Sequence, residues 1–389
     1  MAYLLPAASF AAFFFALLLT GKKSKALYDR ILLNWQIYLG VFTALYFFAG
    51  QQRISNSSWF YTSVVALFLL HGPFLYAYTT VLTTGKKKLV KNDVLHFIPC
   101  FLFLIYLAIA FQFPTYSAGI TLDHVHTALR PPILFVLFLL LTAASGPIYF
   151  YLSLLRVKDY KIRIQNNFSA LDQANLEWLK ILLLIFGVVW TVLILIAIAH
   201  HIFHFSSMDF CINGLFASLS VFIVLLGYFG FRQQEIFRHI PAEGFLEPDS
   251  IPLETEKSTQ KTSEKYRGMY MSPEEMDAYV RRINQFMEEQ KPYLDPELTL
   301  GVLADQLMIP THQLSRVINE HFGRNFFDFI NGYRVAEVKR KILDPAYAHF
   351  SLLGIAFESG FNSKSAFNRV FKKITGQTPS QFKESGTKS

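Results

Sequence analysis

Residues 351–375 read SLLGIAFESGFNSKSAFNRVFKKIT, and their spacing decides what the polar end of this chain is. Leu352, Ile355 and Ala356 recur at helical spacing and lead into Glu358-Ser359-Gly360-Phe361. Gly360 suits a turn residue with left-handed backbone. Ser363 stands where a helix N-cap is expected. In the helix that follows, Phe367, Val370 and Phe371 share one face, while Lys364, Ser365, Asn368 and Arg369 lie on the other. Gly376 and Pro379 close the element. A helix, a tight turn and a second helix with one packed and one polar face make a helix–turn–helix pattern.

Working outward, the same pattern occurs upstream. Leu300 to Leu307 forms a first helix, with Leu303 and Leu307 facing inward and the small Ala304 permitting a close crossing. A turn follows at Met308-Ile309-Pro310, and Thr311 to Asn319 forms a second helix. Leu314, Val317 and Ile318 are its inward face, which leaves Thr311, His312, Ser315 and Arg316 outward. A helix packed on one face and polar on the other can enter a major groove. We place the two units at 300–322 and 351–375. Between them, residues 325–343 form one amphipathic helix with Phe326, Phe329, Ile330, Tyr333 and Val338, able to hold two readers apart. Readers in successive major grooves stand about 34 Å apart.

Further upstream, Ser272-Pro273-Glu274-Glu275 is a helix start, with an N-cap Ser and Pro at the first helical position. Met276, Tyr279, Val280, Ile283, Phe286 and Met287 then fall on one face, and Pro292 ends the helix. No segment beyond it has strand period. Residues 241–271 contain Pro241, Gly244, Pro248 and Pro252 followed by Glu, Lys, Ser and Thr, the composition of a flexible tether.

Residues 1–240 are different in kind. The whole chain is 52% hydrophobic, and the excess sits there. Seven apolar runs, near 3–20, 31–50, 59–84, 94–113, 131–155, 178–204 and 210–231, are separated by short polar breaks. Each approaches or exceeds the roughly 20 residues a helix needs to cross about 30 Å of hydrocarbon. They are apolar all round, and aromatics such as Trp59, Phe60 and Tyr61 gather near their ends, as at a membrane interface. The first run lacks a basic segment before it, so it reads as a retained span rather than a signal peptide. The fold class expected is all-α: a seven-helix transmembrane bundle plus a cytoplasmic helical domain, 272–389, with two helix–turn–helix units.

Loop charge sets the orientation. Lys22, Lys23, Lys25 and Arg30 fill loop one, Lys86, Lys87, Lys88 and Lys91 loop three, and Arg156, Lys158, Lys161 and Arg163 loop five. The even loops hold only Arg53 and Arg130. Lys and Arg favour the cytoplasmic side, which puts the N-terminus outside and the polar domain inside, at the cytoplasmic membrane. The formal charge of +8 is therefore mostly a membrane signature, since residues 261–389 carry 18 basic against 15 acidic side chains. Two cysteines, Cys100 and Cys211, both in apolar runs, exclude a disulfide framework and a Cys-based zinc module.

Residues 290–384 resemble the AraC/XylS-type transcription regulator domain. The run Ile355-Ala356, Gly360-Phe361, Ser365, Phe367, Arg369, Phe371-Lys372-Lys373, Gly376, Thr378-Pro379 and Phe382 carries the resemblance. The first unit departs from it at Met308, where Gly is common. The resemblance implies base contacts by His312, Ser315 and Arg316 in one unit and by Lys364, Ser365, Asn368 and Arg369 in the other. Lys372 and Lys373 are expected on phosphates, which position without specifying. It implies double-stranded DNA and RNA polymerase as partners. The bilayer and an unidentified signal ligand follow from the apolar half, and self-association into a homodimer stays open.

The histidines of the membrane half leave alternatives. His124 and His126 fall in outer loop four, and His200 and His204 share a helix face at the outer end of span six. Imidazoles so spaced can bind Zn²⁺ or Cu²⁺ or titrate near neutral pH, or be an interfacial cluster with no ligand. His71, before Gly72-Pro73, is a deeper group, functional or simply hydrogen-bonded, and Pro73 should kink its helix. No nucleophile–base pair, phosphate loop or helix-fixed carboxylate pair occurs, so no enzyme and no cofactor is expected. The reading is a membrane-embedded regulator whose bundle controls a DNA reader. Its rivals are a transporter or receptor whose tail binds protein, and a membrane metalloenzyme built on the outer histidines.

Overall fold

The computed structural model describes residues 3–22, 25–49, 58–120, 131–171, 176–201, 208–232 and 271–386. All its regular elements are helical, and the described residues add one isolated antiparallel bridge, Phe168 with Thr299. The chain forms two compact bodies, residues 1–160 with 176–235, and residues 161–175 with 236–389.

The first body contains α1 (Leu4–Thr20), α2 (Leu27–Ala49), α3 (Ser58–Ala66), α4 (His71–Thr84), α5 (Lys91–Leu95), α6 (Ile98–Ala110), α7 (Pro114–Ser117), α8 (Ile133–Asn167), α9 (Glu177–His201) and α10 (Met208–Arg232). Four stretches among the described residues are long and apolar enough to cross a membrane: Leu27–Phe48, Thr62–Thr84, Lys91–Ala110 and Ile133–Asn167. Leu4–Thr20 and Phe216–Phe231 are shorter apolar helices. At 1.5 Å per residue the 17 residues of α1 span about 26 Å, a little short of the hydrocarbon core.

Aromatic packing holds this body. Trp35 is fully buried, with the rings of Phe74, Tyr78 and Phe222 at 6.3, 5.9 and 5.8 Å. Glycines let α8 and α9 approach: a Cβ on Gly146 would lie 2.1 Å from Trp190, and one on Gly187 would lie 2.9 Å from Phe150. Between α3 and α4 the helix tightens to a 3₁₀ turn, Leu67–Leu70. Pro73 has no N–H for the Leu69 carbonyl, so the expected irregularity falls just before it. His71 is buried; its Nδ1 hydrogen-bonds with the Tyr38 hydroxyl, and its Nε2 has no hydrogen-bond partner among the described residues.

One expectation is corrected here. Arg156, Lys158, Lys161 and Arg163 are not in a loop. The helix does not stop near residue 155 but continues to Asn167 over 35 residues, with Pro147 inside it. Long, straight-chain residues such as Leu, Arg and Lys favour helix, and no Gly or Pro interrupts residues 148–167. Arg156 is held by Tyr76, donating to its hydroxyl at 3.1 Å and lying 5.9 Å from its ring centre. The candidates His124, His126 and His204 lie outside the described residues, as does the side chain of His200.

The second body holds α11 (Pro273–Glu289), α12 (Leu300–Leu307), α13 (Thr311–Glu320), α14 (Phe326–Leu343), α15 (Leu352–Phe357), α16 (Lys364–Thr375) and α17 (Pro379–Gly386). Most starts are specified locally, α13 after Pro310 being an exception. Ser272 and Glu275 form a reciprocal capping box, and Thr299, Asn325, Ser351 and Ser363 cap α12, α14, α15 and α16. Such caps are worth about 1 kcal/mol apiece.

Two apolar cores form. Ile283 and Met287 of α11 join Leu303, Leu307, Leu314, Val317 and Ile318 in the first. Ile355, Ala356, Phe361, Phe367, Val370 and Phe371 make the second. The helix α14 serves both, giving Phe326, Phe329 and Ile330 to the first and Phe327, Val335 and Val338 to the second. It is therefore not amphipathic with a single apolar stripe, as its sequence suggests; a helix wedged between two cores is apolar on two sides.

Candidate nucleic-acid interface

The two expected readers are α13 and α16. In α13, Leu314, Val317 and Ile318 are buried and His312 is exposed, with Ser315 and Arg316 half-buried. The preceding turn places Met308 at φ 49°, ψ 41°, the left-handed conformation that Gly adopts without cost. Its side chain points to solvent, so nothing but the turn restrains it. In α16, Ala366, Phe367, Val370 and Phe371 are buried, while Lys364, Ser365, Asn368, Arg369, Lys372 and Lys373 are exposed. Its turn residue Gly360 has φ 90°, and an added Cβ would lie 2.3 Å from the Tyr293 carbonyl oxygen. Gly is required there twice over, by backbone conformation and by close approach.

The outward faces have partners that sequence reading missed. Arg316 Nε donates to both carboxylate oxygens of Glu320 at 2.9 Å. An exposed pair at this spacing is worth roughly 0.3–0.5 kcal/mol, so it orients the guanidinium but yields readily to a stronger acceptor. Ser315 Oγ accepts from Asn319 Nδ2 at 3.4 Å. Lys373 Nζ donates to Asp328 Oδ1 at 2.7 Å, which ties the end of α16 to the first turn of α14. The Arg316–Glu320 pair was legible in the four-residue spacing. The Lys373–Asp328 pair, 45 residues apart, had no local signal.

Behind the readers runs a buried polar seam on α14, formed by Asn331, Arg334, Glu337 and Lys341. Arg334 is 1% exposed. Its Nε donates to the Tyr293 carbonyl at 2.8 Å, and its terminal nitrogens donate to the Asp295 carbonyl at 2.7 Å, to Asn331 Oδ1 at 3.4 Å, and to the carbonyl and hydroxyl of Ser169 at 3.0 and 2.9 Å. All five N–H donors of the guanidinium are used. Burial pulls its pKa down to about 10, which leaves it charged at neutral pH. Glu337 takes two bonds from Arg340, at 2.7 and 3.1 Å, and these hold its carboxyl below the ordinary range. Lys341 donates to the Glu358 carbonyl at 2.7 Å, next to the turn of the second unit.

A family model described as a helix-turn-helix domain matches residues 303–385, which takes in both reader helices. A Proteus vulgaris chain named "Probable transcription factor PqrA" is 40% identical over 90 residues, 23% of this chain and 71% of that one. The chain belongs to the helix-turn-helix family of transcription regulators. An uncharacterized HTH-type transcriptional regulator of Staphylococcus aureus (strain COL) is 30% identical over 102 residues, 26% of this regulator. The match spans only 13% of that relative's length, so the likeness concerns the reader domain alone. A solved structure of a protein of unknown function from Listeria innocua is 26% identical, covering 27% of this regulator and 94% of that chain, with a TM-score of 0.24. That score is too low to carry a likeness of fold.

Proposed function

We propose that this regulator is a membrane-embedded, sequence-specific DNA-binding protein of AraC/XylS type. The observation that carries the reading is the sorting of side chains on α13 and α16. Their apolar faces are consumed by two cores, and His312, Ser315 and Arg316, with Lys364, Ser365, Asn368 and Arg369, are left on the outward faces. Arg316 and Arg369 are the base readers in this proposal, each worth about 1–3 kcal/mol of discrimination if bidentate on guanine. Lys372 and Lys373 contact phosphate. The apolar helices form a seven-span bundle in the cytoplasmic membrane, N-terminus outside, that senses a signal and biases the reader. RNA polymerase is its expected partner, and a homodimer would pair half-sites.

The test uses the full chain in detergent or nanodiscs to select duplexes from a random pool at two salt concentrations, alongside Arg316→Ala and Arg369→Ala. A consensus with two half-sites, relaxed at different positions by the two substitutions, is the expected result. Enrichment without a consensus, or binding that ignores both arginines and vanishes with salt, would leave only phosphate attraction and sink the reading.

A further inference from the structure

The compact body that carries the readers does not consist of the C-terminal segment alone. It includes residues 161–175, the last turns of the long apolar helix α8 and the stretch that leaves it. Directly after α8, the chain turns and lies along the reader domain as a short strap, Phe168–Leu171. Phe168 forms an antiparallel bridge with Thr299, the N-cap of the first reader unit. The Ser169 N–H donates to the Leu298 carbonyl at 3.3 Å, and its hydroxyl donates to the same oxygen at 2.7 Å. Its own carbonyl accepts from Asn331 Nδ2 at 3.0 Å and from Arg334 at 3.0 Å. Two residues on, Leu171 packs on the core of the second unit, with Val335, Val338 and Ile355.

Ser169 is 1% exposed, and each of its polar groups has a partner on the reader domain. The converse matters more. Without the strap, Arg334 would lose two of its five bonds, those to the carbonyl and hydroxyl of Ser169. The geometry is that of a peptide site: backbone bonds to an extended segment, one polar anchor and one apolar anchor. It also spans the junction, since Thr299 begins the first unit, Leu171 meets the second, and Arg334 sits on the helix between them.

We propose that the reader domain carries a peptide-docking site formed by Leu298, Thr299, Asn331 and Arg334, whose ligand is this chain's own Phe168–Leu171. Occupancy of that site couples α8 to the readers. The ligand is covalently continuous with α8, so a shift of that helix is felt where the two reader units meet. Docking stands on the contacts alone, and coupling to DNA rests in addition on the function proposed above.

The experiment uses the full chain with Cys100→Ser and Cys211→Ser, a protease site inserted between Ser258 and Thr259, and the pair Phe168→Cys with Thr299→Cys. Phe168→Cys with Glu384→Cys, in place of Thr299→Cys, is the control. After oxidation and cleavage, the docked strap predicts that the two fragments stay joined until reduced, and that the control fragments separate. Fragments that separate in both would overturn docking. Thr299 also caps a helix, so hydrogen exchange on the unsubstituted chain is the second measurement: the Ser169 amide should exchange slowly, and exchange at the rate of an open peptide overturns docking. Affinity for an enriched duplex is then compared in the oxidised and reduced states. A change of about fivefold or more is expected of a coupled site. Equal affinity overturns coupling. Joined fragments with no specific duplex binding in either state would overturn the DNA reading and the coupling built on it, and uphold docking.

Discussion

Replacing Arg334 with Ala is the most informative single perturbation of the reader domain. The side chain satisfies three backbone carbonyls, those of Tyr293, Asp295 and Ser169, and two side-chain oxygens, from a position with 1% exposure. Hydrogen bonds to a charged group contribute about 1.5–3 kcal/mol each before the cost of burying the charge is set against them. Burying an ion costs several kcal/mol, so the five bonds do not sum. Truncation removes charge and bonds together; the Tyr293 carbonyl loses the donor it has from Arg334, at about 1–3 kcal/mol, while the Ser169 carbonyl keeps Asn331 and the Asp295 carbonyl keeps the Leu298 N–H. Some of that is recovered if water enters the hole. The deleted side chain also leaves a cavity, and large-to-small truncations at buried positions cost about 2–5 kcal/mol, so a net loss of about 3–5 kcal/mol is expected. A domain has only about 5–15 kcal/mol in all, so the change is large. Arg334→Lys should cost roughly half as much, because an ammonium has three donors and cannot serve five acceptors in one plane. Hydrogen exchange of the full chain reads this directly as faster opening of α14 and of residues 293–299, by roughly two to three and a half powers of ten for Ala. A loss below about 1 kcal/mol for Arg334→Ala would refute the reasoning, because it would mean water satisfies these carbonyls as well as the guanidinium does.

Two other predictions follow from the same body. Met308 holds a left-handed backbone with an exposed side chain, so Met308→Gly relieves about 1–2 kcal/mol of backbone cost against about 0.5–1 kcal/mol of added unfolded-state entropy, and thermal unfolding should show a small gain in stability. The bonds from Arg340 hold Glu337 below the ordinary carboxyl value of about 4.5, with Lys291 and Lys341 adding to the effect. Its contribution is therefore fully present above about pH 4.5 and is lost as pH falls through the lower folded value; exchange rates at acid pH should rise there in the parent chain and show a flatter dependence in Glu337→Gln.

Much of the reader domain was legible because its signals are local. The N-caps at Ser272 and Ser363, the glycine turn at Gly360 and the inward faces of α13 and α16 are set by residues within four positions of one another, and all occur as the spacing predicts. Where the reading went astray, the missing quantity was nonlocal. Charge density placed a loop at Arg156–Arg163, but charge does not end a helix, and Tyr76 from another helix receives Arg156. The sequence pattern of α14 reads as amphipathic, but which of its faces each unit covers depends on how both units pack against it.

The amino-acid sequence by itself determined the division of this chain into an apolar helical half and a polar half with two helix–turn–helix units, since hydrophobic period and turn chemistry are written residue by residue. Only the tertiary structure decided that Arg334 lies buried at their junction, that Lys373 reaches Asp328, and that Ser169, 165 residues before Arg334, completes the reader domain. Those contacts join polar groups with no fixed spacing along the chain. Their partners are chosen by which buried donors and acceptors the packed helices leave unsatisfied, and that is known only once the helices are packed.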